Sequence, residues 1–146
     1  MRRSALLPAV AAAGLAVALA GCGPAATGSD SSKEFTGAKS DVAQVVDDLQ
    51  DAAAKRDGAK ACKLLAPNLL AGFAARHRTC KDVLDDDLAD ADTTKMTVTS
   101  VNVAGNRATA VVESDTGKGK TKQTNTFTFV KSPSVANGAW QVSSFG

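Results

Sequence analysis

Three kinds of spacing succeed one another along the 146 residues. Ala5 to Ala20 is continuously apolar apart from Pro8 and Gly14. Gly23 to about Lys39 is Gly, Ser, Thr, Ala and isolated charges, with Phe35 its only large apolar residue, and it reads as a flexible tether. Helical spacing then begins: Val42, Val45, Val46, Leu49, Ala52 and Ala53 recur on one face, while Asp47, Asp48 and Asp51 fall elsewhere on the wheel. Ser40 is the expected N-cap of a helix over 41–56, and Gly58 marks the turn after it. A shorter helix is expected over 59–65, stopped by Pro67, then a turn or two over 68–75. Thr79 can cap a last helix from Cys80 to about Leu88.

After Asp92-Thr93-Thr94 the period becomes extended. Strands are expected over 96–103, 107–114, 123–131 and 139–145. The apolar face of the first switches near Thr99-Ser100, which predicts a bulge. Ala104-Gly105-Asn106 is a tight connection, and Thr116 to Lys122 a Gly and Lys loop. In the third strand Asn125, Phe127 and Phe129 share one side. In the fourth, Trp140 and Val142 do. Helices followed by an antiparallel meander of about four strands predict an α+β domain, N-terminal helices packed on a curved sheet.

The N-terminal apolar stretch is preceded by Arg2-Arg3 and ends in small residues, the order of an export signal, and at about 16 residues it is shorter than the roughly 20 a membrane-spanning helix needs. Leu19-Ala20-Gly21-Cys22 resembles the lipobox of bacterial lipoprotein precursors at all four positions. That resemblance implies diacylglyceryl transfer to the Cys22 thiol and cleavage before it. The expected division is therefore 1–21 signal peptide, 22–39 tether with lipidated Cys22, and 40–146 a single domain. Such a protein is extracytoplasmic and held to the cell membrane by its lipid.

Cleavage changes the charge. Of 17 basic residues Arg2 and Arg3 are lost, leaving 15 against 15 acidic, so the balance argues against nucleic acid as a partner. The distribution is uneven: Asp41 to Asp92 holds eleven Asp against seven Lys and Arg, and Lys95 to Lys131 six Lys and Arg against Glu113 and Asp115. Assigning Cys22 to lipid also leaves an even pair, Cys62 and Cys80, for which a disulfide is the expectation outside the cytoplasm. The alternative, a zinc site, would have two thiols and only His77 where four ligands are usual.

A long amphipathic helix, Asp57-Gly58, a second helix with Cys62-Lys63-Leu64-Leu65, and a sheet ending Asn137-Gly138-Ala139-Trp140-Gln141-Val142 together resemble the small secreted lipoproteins of high-GC Gram-positive bacteria. Those are similar in architecture to the nuclear-transport-factor-two-like superfamily, in which a curved sheet wraps around helices to form a cone with a pocket. The resemblance covers about 105 residues, from Ser40 onward. This chain departs from fuller members in showing four strands where five or six are expected. A cystatin-like helix on a four-stranded meander is the structural alternative.

Catalytic members of that superfamily use a buried Asp, His or Tyr beside the pocket, because proton transfer needs a group tuned near the working pH. This chain has no tyrosine. Its single histidine, His77, stands in Arg76-His77-Arg78 and reads as a solvated loop residue. Glu113 shares a strand face with Thr109 and Val111 and could enter a cavity, or else meet water or a lysine. Phe127, Phe129, Trp140 and Val142 would line the pocket, or simply form the core. Asp85, Asp86, Asp87, Asp90 and Asp92 lack the alternating spacing and central Gly of a calcium loop, so a solvated helix end is the expectation. Lys118, Lys120 and Lys122 read as a solvated basic turn, with contact to anionic lipid or wall polymer the alternative. There is no phosphate loop and no Gly-x-Ser-x-Gly elbow, and no metal or cofactor is expected. The reading that results is a non-catalytic binding or accessory domain for an envelope protein or apolar ligand. An enzyme using Glu113 or His77 is the first alternative, and a structural or regulatory envelope protein the second.

Overall fold

The computed structural model describes residues 30–89, 95–116, 121–133 and 138–146. Cys22, Asp90, Asp92, Lys118, Lys120 and residues 134–137 lie outside the described residues. In chain order there are a 3-10 turn (Ser31–Glu34), α1 (Ala38–Ala54), α2 (Gly58–Lys63), α3 (Pro67–Ala74), α4 (Cys80–Ala89), β1 (Lys95–Ala104), β2 (Arg107–Thr116), β3 (Thr121–Lys131) and β4 (Trp140–Phe145). The strands form one antiparallel sheet in the order β1-β2-β3-β4.

The helix stripe places α1 on the sheet. Val42, Ala43, Val45, Val46 and Ala52 are buried along it, and the first four meet Val98, Val101, Ala108, Ala110, Val112, Phe127, Phe129, Trp140 and Val142 from the strands, with Leu65 completing the cluster. Only one sheet face is packed in this way. On β2 the buried positions are Ala108, Ala110, Val112 and Ser114, while Arg107, Thr109, Val111, Glu113 and Asp115 alternate onto the other side. Burial of each large apolar side chain in this layer contributes roughly 1.5–3 kcal/mol.

The bulge expected near Thr99-Ser100 is present, since the β1–β2 register shifts between Val98 and Ser100. A second irregularity, between Thr128 and Phe129 on β3, had no counterpart in the apolar pattern. Gly105 has φ +61° at the first of two turn residues, a conformation that a side chain disfavours and that joins β1 to β2 without splaying them.

The start of the domain differs from expectation in two ways. Residues 30–39 belong to the fold instead of the tether, and α1 begins at Ala38 after Gly37 (φ 58°), so Ser40 lies inside the helix and does not cap it. Both differences have one cause, a polar latch. The Asp47 carboxylate, 6 % exposed, accepts hydrogen bonds from the backbone N–H of Ser31 (3.2 Å) and Ser32 (2.9 Å). The Ser40 hydroxyl donates to the Ser32 carbonyl at 2.9 Å, and Phe35 packs against the core. Asp47 is thus on the inward flank of α1, a correction to its outward assignment on the wheel.

The latch also closes a sheet edge. Val98 N–H on the outer side of β1 donates to the Ser31 hydroxyl (3.0 Å), and Met96 N–H to the Gln50 side-chain oxygen (2.9 Å). The opposite edge is closed by backbone. Val142 N–H donates to the Leu64 carbonyl, Ala66 N–H donates to the Val142 carbonyl, both at 2.8 Å, and Leu65 forms a parallel bridge to Val142. Unpaired strand edges invite pairing with other chains, and these contacts occupy part of each edge.

Hydrogen bonds to a charged acceptor contribute about 1.5–3 kcal/mol, and a buried N–H left unpaired costs about as much. Asp47→Ala is therefore expected to lower stability by about 2–3 kcal/mol and to release residues 30–35. The check is amide hydrogen exchange at Ser31, Ser32 and Val98. Unchanged protection there would refute the latch.

Candidate functional site

The helical layer is organised around two caps and one disulfide. Asp57 caps α2, its carboxylate accepting from Lys60 N–H at 2.9 Å, so Gly58 opens that helix instead of serving as the turn. Pro67 opens α3, where its missing N–H costs nothing. Thr79 caps α4 as expected, its hydroxyl accepting from Asp82 N–H (3.2 Å) and donating to the Asp82 carboxylate (2.5 Å). That hydroxyl bond is the main cause holding the Asp82 carboxyl below its ordinary 3.8. Cys62 on α2 and Cys80 at the start of α4 are joined by a disulfide, with Cα atoms 6.0 Å apart. Where the two helices meet, Gly58 lies against α4, and a Cβ there would come within 2.2 Å of the Asp85 carboxylate.

The acidic character of these helices is answered locally. Asp51 accepts from Lys55 (2.8 Å) and Lys60 (2.7 Å), and their hydrogen bonds hold its carboxyl below 3.8 while the Lys60 ammonium is raised above 10.5. Asp85 pairs with Lys81, and Asp86 with Arg78. Asp85 and Asp86 therefore each face their own basic partner.

The residues expected to line a pocket divide between two sides of the sheet. Phe127 (7 % exposed), Phe129 (0 %), Trp140 (5 %) and Val142 (0 %) are packed into the core with the valines of α1. Those valines face them from α1 within one buried cluster. Glu113 does not join them. It lies on the opposite face, where Lys122 donates to its carboxylate at 3.2 Å. Lys122 itself is in β3 and not in a loop. Glu113, Lys122, Lys95, Thr97, Ser114 and Asp115 line a surface recess of about 140 Å³. A second recess on the sheet, about 220 Å³, is lined by Asn102, Ala104, Arg107, Ala108, Thr109 and Thr128. Its side chains offer hydroxyls, an amide and a guanidinium, but no general base or nucleophile.

His77 is exposed at the exit of α3, with φ +57° and its backbone N–H donating to the Ala74 carbonyl. It is not among the residues that line the recess beside Glu113. The polar residues that matter most to the architecture, Asp47 and Gln50, were missed in the sequence. One signal did point to them: with Ala43 they continue a stripe at i, i+4 and i+7 that runs into the buried face of α1.

No protein-family model matches the chain, and no curated protein does. Among solved structures, a nuclear-transport-factor-two-like protein of unknown function from Shewanella baltica OS155 is similar, with TM-score 0.50 and 15% identity, over 72% of this chain and 87% of that one. A candidate ketosteroid isomerase from Shewanella frigidimarina NCIMB 400 matches with TM-score 0.49 and 17% identity, over 72% of this chain and 92% of the other. Four helices on a four-stranded antiparallel sheet, together with the first of these likenesses, show that the chain carries the α+β nuclear-transport-factor-two-like fold.

Proposed function

We propose that the chain is an exported lipoprotein of the kind found in high-GC Gram-positive bacteria, cleaved before Cys22 and held by lipid on that thiol at the outer face of the cytoplasmic membrane. Its domain is a non-catalytic accessory module that docks an envelope protein. The observation that carries this reading is the disulfide between Cys62 and Cys80. It suits an oxidising compartment, and it leaves Cys22, in Leu19-Ala20-Gly21-Cys22, as the remaining one of three cysteines.

The non-catalytic part is supported by the fates of the two candidate acid/base groups. An enzyme built on this fold needs a titrating group enclosed beside its substrate. Glu113 is engaged by Lys122 on the outward sheet face, and His77 is in solvent. The packing of Phe127, Phe129, Trp140 and Val142 favours a protein partner over an apolar small ligand.

Cys22→Ala tests the anchor. The expected result is transfer of most of the protein from the membrane fraction to the medium, read by fractionation and immunoblot, with the released form lacking acyl mass. Retention of the Cys22→Ala protein in the membrane would overturn the lipoprotein reading.

A further inference from the structure

We infer that the short leash biases how the domain sits on the bilayer, keeping the 3-10 turn and the β1 edge nearer the lipid than the β4 edge with α3. The inference rests on lipidation at Cys22 and goes beyond it, because an anchor alone leaves orientation open.

Its basis is the length of chain between the lipid and the point where the fold takes hold. Only eight residue steps separate Cys22 from Asp30. Whatever conformation they adopt, they span at most about 26–29 Å. At Ser31 the chain is fixed to the body: Ser31 and Ser32 N–H are held by the buried Asp47 carboxylate, and the Ser31 hydroxyl accepts from Val98 N–H on β1. Had the fold begun at residue 40, the leash would have been about twice as long.

A body of about 117 residues is roughly 35 Å across. A leash of at most about 29 Å cannot pass around it. The attachment point therefore cannot occupy the pole farthest from the membrane. That point lies at the β1 edge, since Ser31 bonds to Val98, and Gln50 of α1 bonds to Met96 beside it. Three strand spacings of about 4.8 Å carry the sheet from β1 to β4, against which α3 packs, so with the sheet upright the far edge stands about 14 Å higher. A protein partner approaching from outside the cell meets the β4 and α3 side first.

The test uses the lipidated full chain in phosphatidylglycerol-containing vesicles. A donor fluorophore is placed by Lys33→Cys on the 3-10 turn or by Ala71→Cys on α3, both exposed. Energy transfer is read to an acceptor on lipid headgroups. With a height difference of about 14 Å, transfer from position 33 should exceed that from position 71 by about half or more. A Gly-Ser insertion of about sixteen residues after Gly23 adds up to about 55 Å of reach and should bring the ratio toward one. Equal transfer from both positions in the native-length protein, or a ratio unmoved by the insertion, would overturn the inference. Failure of either labelled protein to float with vesicles would instead strike the lipid reading, and this inference with it.

Discussion

Phe129→Ala is expected to destabilise the domain by about 3–5 kcal/mol, a large share of an ordinary stability of about 5–15 kcal/mol. Phe129 is fully buried toward the end of β3, in the cluster that includes Val142, Phe127 and the α1 valines. Removing its ring opens a cavity in a layer that has helices on one side only. Phe145 supplies the control, since it is 49 % exposed and its ring meets Phe127 edge-on at 4.9 Å. Phe145→Ala should cost less than about 1.5 kcal/mol, mostly the aromatic contact. Urea unfolding followed by Trp140 fluorescence measures both. Equal midpoints for the two variants would contradict the core described here.

Removal of the disulfide by Cys62→Ser with Cys80→Ser is expected to cost about 3 kcal/mol in the chain-entropy account. The crosslink joins residues 18 apart in sequence. The effect should also be local. Two and four residues beyond Cys62, Leu64 and Ala66 hold the β4 edge through Val142, so α2 and β4 are coupled. In the double variant, exchange at Val142 and Ala66 N–H should accelerate more than exchange at Ala110 in β2. Uniform acceleration would mean that the crosslink acts only through the unfolded chain.

Much of the architecture follows from local rules that operate within a few residues. The Thr79 cap, the Thr99-Ser100 bulge and the Gly105 turn were readable because each depends on adjacent residues and their own backbone preferences. The beginning of the fold was not, because what Ser31 does is decided by Asp47 and Val98, and the latter is 67 positions away. A Ser-rich stretch with one aromatic has the composition of a tether whether or not a carboxylate elsewhere ties it down. Glu113 illustrates a second limit. Its sharing of a face with Thr109 and Val111 was correct, but alternation alone does not say which face meets the helices. Ala108, Ala110 and Val112 decide that, and the small size of two of them made the decision hard to read. The pocket was a third case: Phe127, Phe129, Trp140 and Val142 were placed on the inward face correctly, and only the position of the α1 valines distinguishes a wall from a filled core.

The closed edges of the sheet bear on how many copies can be crowded together. Molecules confined to a plane collide edge to edge far more often than molecules free in volume, and strands with unused N–H groups would join such collisions into growing ribbons. Here Met96, Val98 and Val142 have already spent theirs on Gln50, Ser31 and Leu64. At these positions a neighbouring molecule's strand finds no N–H left to take up. Losing the Ser31 hydroxyl would free the Val98 N–H while Met96 and Val142 keep their partners.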